Sequence, residues 1–261
     1  MISKLKLLIH KYRYWLFAIV GGVILIFIDM IEGIEPLFSI SAFIYWSLLF
    51  YWAARWVFNQ GKSILKLKTE KKKTELLHLQ NQVNPHFFFN MLNNLYGLVD
   101  KDSKKAQELI LKLSDMMRYS IYNGQKERVL LSEEINYLQN YIELHKMRYH
   151  KEIDIVFSHE IKDNDYKIVP ILFIILLENA FKHGAENLRE NAYIHINMKA
   201  ENNQIHFDIE NNFDPTVENK QEGIGLNNLK RRLELVYPKN HTLSFSKTND
   251  VYKAQLNIKK L

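Results

Sequence analysis

The chain has 261 residues, room for one or two compact domains and some further segments. It contains no cysteine, which excludes disulfides and thiolate metal sites. A net charge of +6 would suit a nucleic-acid partner if it were spread evenly, but it is gathered beside apolar runs, so the sequence points to a membrane and to no direct nucleic-acid contact. Lys4, Lys6, Lys11 and Arg13 precede an uncharged run from Tyr14 to Ile28. A second uncharged run, Pro36 to Ala54, carries Trp46 and Trp52 and is followed by Lys62, Lys66, Lys68, Lys71, Lys72 and Lys73. Each run is close to the ~20 residues that cross a bilayer once a few flanking residues join in. Basic outer flanks and the acidic turn Asp29–Glu35 place both chain ends in the cytoplasm. The first run shares its basic start with signal peptides, but no small-residue cleavage site follows it and a second run does. Residues 1–58 therefore read as a membrane α-helical hairpin, whose external loop is too short to fold into a ligand-binding domain.

Beyond Arg55 the chain turns polar, with Gly61 as the one expected break before a long helix. Leu76, Leu79, Val83, Phe87, Met91, Leu95 and Leu98 form one apolar stripe. Pro85 falls inside it and should kink the helix, since proline lacks a donor and crowds the carbonyl of Asn81. Asp100–Ser103 reads as a turn. A second stripe follows through Ala106, Leu109, Ile110, Leu113, Met117 and Ile121, ending at Asn123-Gly124, where glycine would take a left-handed conformation. Ser132 is the expected N-cap of a third helix, with Glu133 and Glu134 in its first turn. Two such stripes are buried either by pairing two copies into a four-helix bundle or by packing on the next domain. This helical region spans 59–150.

From Lys151 to the end, residues 151–261, the period changes. Ile153, Ile155 and Phe157 alternate as in a strand, and Pro170 is expected to open an apolar helix through Phe181. Ile194–Met198 and Ile205–Ile209 alternate around Asn202-Asn203, a hairpin. A helix over Leu226–Val236 and strands centred on Phe245 and Leu256 complete an α/β two-layer pattern.

Three places carry polar groups suited to chemistry. His86 follows Pro85 on the rim of the apolar stripe, and an imidazole with one free nitrogen is a competent nucleophile near neutral pH. Alone, a histidine there would read as packing or capping at the kink. Glu178 and Lys182 share one helix face, Asn179 and His183 the adjacent one. The Asn179 amide oxygen is a hard ligand of the kind Mg²⁺ accepts, while Glu178 can take a proton and Lys182 or His183 can meet phosphate charge. Gly223 and Gly225 open a helix at Leu226, where backbone amides bind anions. Arg231 and Arg232 read equally as phosphate contacts or as a solvated basic face. No Gly-x-x-x-x-Gly-Lys-Ser/Thr loop occurs, which excludes a P-loop nucleotide site.

The run Asn84-Pro85-His86-Phe87-Phe88-Phe89-Asn90, then Glu178-Asn179-Ala180-Phe181-Lys182-His183-Gly184, then Gly223-Ile224-Gly225-Leu226 resembles, in that order, the sensor histidine kinases of the LytS/YehU type. The resemblance extends from about Glu75 to the C-terminus. It implies a GHKL-type ATPase sandwich after a dimerising helical bundle, hence a homodimer, with ATP and Mg²⁺ as cofactors. It implies phosphorylation of His86, then transfer to an aspartate of a separate response regulator, of the LytTR DNA-binding type in this family. The protein would sit in the bacterial inner membrane. Phe87 follows the histidine where many other histidine kinases carry an acidic residue, so the base must come from elsewhere. Glu178 is the candidate.

One position departs from the family pattern. Asn211 stands where an aspartate usually accepts the adenine amino group, and Phe213 stands where a glycine follows. An amide oxygen can accept that bond without the help of charge. Residues Phe213–Glu222 are the expected lid over ATP. Asn211 and Phe213 also leave a second reading open, a membrane-anchored pseudokinase scaffold that binds nucleotide or a regulator without phosphotransfer.

Overall fold

The computed structural model describes residues 18–24, 26–27, 30, 35–80, 85–149, 151–162, 166–216 and 223–259. The chain divides into two compact units, one running to Lys71 and the other from Lys72 onward. Helix α1 (Glu35–Gln80, 46 residues), most of it in the first unit and its last turns in the second, takes up the second apolar run and continues through Gly61, where a break was expected. Ile40, Phe43, Trp46, Phe50 and Phe58 are all exposed along it. The Tyr45 hydroxyl donates to the Ala18 carbonyl, and its ring leaves no space for a Cβ at Gly21. Among the described residues no helix is long and apolar enough to cross a membrane. The basic flank before Tyr14, parts of the first apolar run and nearly all of the acidic turn lie outside the described residues.

The second unit begins with an antiparallel group of helices. Helix α2 covers Pro85–Val99, α3 covers Ser103–Arg118 and α4 covers Leu131–Arg148. Among the described residues Pro85 is the first of α2. At a first helical position its missing N–H costs nothing and its fixed φ suits the turn. Residues 81–84, which include Val83 of the expected stripe, lie outside the described residues. Asp102 caps α3 by accepting from the Lys105 N–H at 3.1 Å. A π-helical turn, Tyr119–Asn123, prolongs α3. Gly124 ends it in a right-handed conformation (φ −58°), so left-handed freedom is not why glycine is there. A Cβ at Gly124 would lie 2.3 Å from the Ser120 carbonyl oxygen, so the requirement is for space. Helix α4 starts one residue before the expected Ser132 cap, held by Glu133 accepting from the Leu130 N–H at 2.8 Å.

The α/β part has five long strands: β2 (Ile153–Ile161), β4 (Ala192–Glu201), β5 (Gln204–Asn212), β6 (His241–Thr248) and β7 (Val251–Lys259). Their order is β2-β4-β5-β7-β6, with β2 and β4 parallel and the other pairs antiparallel. Asn202 and Asn203 both take positive φ (50° and 59°), as a two-residue hairpin turn matching the strand twist requires. Ile194, Ile196, Met198, Ile205, Phe207, Ile209, Leu256 and Ile258 are buried on one sheet face, the α/β two-layer arrangement. Helices α5 (Ile174–Ala180) and α6 (Ile224–Val236) join that core through Ile174, Leu177, Leu229 and Leu233. A small ladder pairs β1 (Val129–Leu130) with β3 (Lys167–Ile168).

Helix α5 begins four residues after Pro170, where the expected start was Pro170 itself. Ile171 sits at φ 56°, and the Ile171 and Leu172 amides donate to Glu134 at 2.7 and 3.2 Å. Arg232 donates to the Pro170 and Ile171 carbonyls, both at 2.6 Å. The turn's polar groups are thus taken by distant side chains, and the helix starts only after them.

Candidate functional site

His86 lies on the first turn of α2, exposed, beside Phe87, which is only 4% exposed and stacks on Tyr141 of α4 at 4.6 Å. One side of this turn is therefore anchored while the imidazole stands free of the core. Asn90, one turn on, places its amide nitrogen 3.2 Å from His86 Nδ1 and 3.3 Å from Nε2. A donor there makes the nitrogen it meets an acceptor and puts the proton on the other.

Helix α5 and the π-helical turn after it (Phe181–Ala185) present Glu178, Asn179, Lys182 and His183 along one edge. Burial, with the Lys182 charge second, holds His183 below the ordinary histidine range and so keeps it neutral at pH 7. Gly223 is the N-cap of α6, and the Leu226 N–H donates to its carbonyl at 3.1 Å. A Cβ at Gly223 would meet nothing within 4 Å, and one at Gly225 only Ile175 at 3.6 Å. Packing does not demand glycine at either position, so their missing side chains leave room above the α6 amides.

These groups converge. His86, Glu178, Asn179, Lys182, His183, Gly223, Gly225 and Leu226 all line one cavity of about 520 Å³. Asn211 does not join them. It is 2% exposed, its amide nitrogen donates to the Asn212 carbonyl at 2.9 Å, and its side chain fills the space a Cβ on Gly184 would need. Phe213 is buried at the sheet end, its N–H donating to the Asp250 carbonyl at 2.8 Å and its ring under the Lys247 ammonium. Of the expected lid, residues 217–222 lie outside the described residues.

Neither arginine of α6 lines the cavity. Arg232 is buried in the Glu134 network, where burial brings it down to about 10, and Arg231 pairs with Glu75 at 2.7 Å and with Glu234 at 3.2 Å. Conversely, the cavity includes α4 residues that sequence patterning passed over: Tyr141, His145 and Arg148. Arg148 is paired with Glu186 at 3.1 Å. The four-residue step from Tyr141 to His145 put a polar ring on an apolar helix face, and that was the available signal.

Residues 74–153 match a family model described as histidine kinase. That segment belongs to the histidine kinase family. Among curated relatives, Sensor protein LytS of Enterococcus faecalis is 31% identical over 179 residues, 64% of this chain and 30% of that protein. Sensor histidine kinase/phosphatase LytS of Staphylococcus aureus is 30% identical over 192 residues, 68% of this chain and 33% of that protein. The chain thus spans about a third of the length of these two LytS proteins. Among solved structures, the Acinetobacter baumannii histidine kinase AdeS overlaps 65% of this chain and 92% of its own at 14% identity and a TM-score of 0.38.

Proposed function

We propose that the chain is a membrane-bound sensor histidine kinase that uses Mg-ATP to phosphorylate His86 and hands the phosphoryl group to a response regulator's aspartate. The observation that carries this reading is the shared cavity, where the His86 imidazole, the Glu178–Asn179 pair and the glycine-lined start of α6 line one space. In the first step a ring nitrogen of His86 bonds to the γ-phosphorus, the bond from that phosphorus to the β–γ bridging oxygen breaks, and ADP leaves. The displaced ring proton goes to Glu178, a carboxylate on the cavity wall that, unlike Glu186, stands beside Asn179 on α5. Lys182 and the α6 amides hold phosphate oxygens, and catalysis is mostly positioning and charge neutralisation. The donor set suits Mg²⁺, which keeps most of its waters and needs only one or two protein oxygens beside those of the phosphates. Asn179 would hold it, and the chemistry it would supply there is neutralisation of phosphate charge.

By this reading residues 1–58 form the inner-membrane hairpin with both ends cytoplasmic, 59–150 the linker and phosphotransfer helices, and 151–261 the ATP-binding domain. The exposed apolar side chains of α1 support the anchor, and Tyr51 and Trp52, close to the end of the uncharged run, fit the aromatic belt of a bilayer interface. A dimer is supported by a second, exposed stripe on α2, formed by Phe89, Leu92, Tyr96 and Val99. A LytTR-type regulator rests on the likeness to LytS alone.

The position of Asn211 favours a second reading, a pseudokinase scaffold, because the adenine acceptor expected there is turned into the fold. Incubation with γ-labelled ATP and Mg²⁺ separates the two. The kinase acquires acid-labile, base-resistant label that His86→Gln abolishes. Asn179→Ala should reduce it by at least the roughly 10–100-fold that loss of even an outer metal contact costs. A folded protein that binds ATP in membranes yet takes up no label would be the scaffold.

A further inference from the structure

Arg148 is the last residue of α4 and lines the cavity that holds His86, Asn179 and Lys182. Its helix is fixed against the one that carries His86. Phe87 stacks on Tyr141 at 4.6 Å and lies 5.2 Å from His145, and Asn94 of α2 donates to the Met147 carbonyl at 3.3 Å. His145 and Arg148, three residues apart, share a helix face. The guanidinium is thus carried to the cavity by the same group of helices as the His86 imidazole.

Its hydrogen bonding is far from complete. Of the five N–H donors of a guanidinium, Arg148 uses one, from Nη1 to Glu186 Oε1 at 3.1 Å, and among the described residues it makes no other hydrogen bond. That oxygen also accepts from the Tyr149 hydroxyl at 2.7 Å. The arginines of α6 behave differently. Arg231 closes a two-bond fork on Glu75 at 2.7 and 3.3 Å, and Arg232 spends both Nη groups on backbone carbonyls. The Arg148 side chain is 27% exposed, and none of its nitrogens is sealed away without a partner, as Arg232 Nε is.

The charge of the cavity says what those open donors suit. Among the described lining residues only Lys182 and Arg148 carry a fixed positive charge, beside the carboxylates Glu178 and Glu186. Lys182 and the α6 amides answer the charge of the bound phosphates, but in transfer the charge spreads over the three oxygens of the phosphoryl group itself. A planar guanidinium, always protonated and with parallel donors, fits such oxygens better than an ammonium does.

We propose that Arg148 is a catalytic residue of the phosphorylation, its open N–H groups holding the γ-phosphoryl oxygens while that group passes from ADP to His86. The assignment rests on the kinase reading above. The bond from phosphorus to the bridging oxygen breaks and the bond to the His86 nitrogen forms, while Arg148 neither gains nor loses a proton. The rival role is structural, with Arg148 only tying α4 to Glu186.

The test is the rate of His86 labelling at saturating γ-labelled Mg-ATP, with the whole chain in detergent, beside Mg-ADP affinity by calorimetry and melting temperatures. Wild type, Arg148→Ala, Arg148→Lys and Glu186→Gln are compared. Arg148→Ala should label about a hundredfold more slowly, as loss of one transition-state donor costs, yet bind Mg-ADP within about threefold of wild type. Arg148→Lys, which keeps the charge and loses the fork, should regain about tenfold. Glu186→Gln breaks the ion pair but leaves the guanidinium, and should label within about threefold of wild type. A Glu186→Gln rate as low as that of Arg148→Ala would make the ion pair the working element and overturn the proposal. An unchanged rate in Arg148→Ala overturns it too, as does a loss of Mg-ADP affinity as large as the loss of rate. If Arg148→Ala does not fold, Arg148→Gln is read by the same criteria, and failure of both makes the residue structural. A wild type that takes up no label would defeat the kinase reading itself, and this assignment with it.

Discussion

At the scale of single residues, His145 makes stability depend on pH in a way that can be isolated. Its ordinary value of 6.5 falls to about 3 in the fold, so below 6.5 the unfolded chain binds a proton that the folded one refuses. The stability owed to the neutral ring is therefore complete above about pH 6.5 and drains away as pH falls toward 3. Each pH unit in that window is worth about 1.4 kcal/mol, hence about 2 kcal/mol by pH 5. Glu134 acts in the opposite direction, because burial raises its carboxyl, and His183 in the same direction as His145. Both are common to wild type and His145→Phe and cancel in the difference. Urea unfolding at pH 7.5 and pH 5 should show the Phe variant gaining about 2 kcal/mol on wild type. Parallel curves would mean that His145 takes up a proton in the folded protein.

Between elements, one carboxylate ties three segments together. Glu134 of α4 is fully buried and accepts from the Tyr119 hydroxyl at 2.6 Å as well as from the Ile171 and Leu172 amides. Arg232 of α6 is its charge partner across the same turn. Glu134→Ala would leave a guanidinium buried without its counter-charge and two backbone donors without acceptors. A loss of about 3–5 kcal/mol is expected, read as a lower urea midpoint with an unchanged slope. This network also marks the limit of what sequence patterning reveals. Strands β4, β5 and β7 were legible because each buries one face and so alternates, and the Asn202-Asn203 turn was legible because asparagine tolerates positive φ. The start of α5 was not, because it is set by Glu134 and Arg232, which are distant in sequence. Pro85 suits either a kink or a helix start, and nothing local decides between them. The β1–β3 ladder, at two residues per strand, is too short to leave a period. In the site, the polar motifs were legible by spacing. The burial of Asn211 against Gly184 was not, because a register argument fixes which sheet face a residue takes and not what already fills it.

For the whole molecule, α2 carries two stripes where the sequence reading took one. Phe87 and Met91 face the core, while Phe89, Leu92, Tyr96 and Val99 recur at steps of three and four on another face and are 66, 49, 86 and 53% exposed. On α3, Ile110 and Met117 are likewise exposed, as is Ile121 just beyond it. An exposed heptad-like seam on two antiparallel helices is what a two-fold four-helix bundle would cover. In such an interface every residue appears twice, once from each protomer. Leu92→Lys would then remove two buried leucines at ~1.5–3 kcal/mol each, so the dimer should weaken by at least about a hundredfold. Because Leu92 is half exposed within one chain, the protomer's own fold should survive, with an unchanged circular dichroism spectrum. Sedimentation velocity of the whole chain in detergent should therefore give a dimer for wild type and a folded monomer for Leu92→Lys at micromolar concentration. A variant that still sediments as a dimer would place the contact on a surface other than this seam, and a wild type that sediments as a monomer would remove the bundle from the reading.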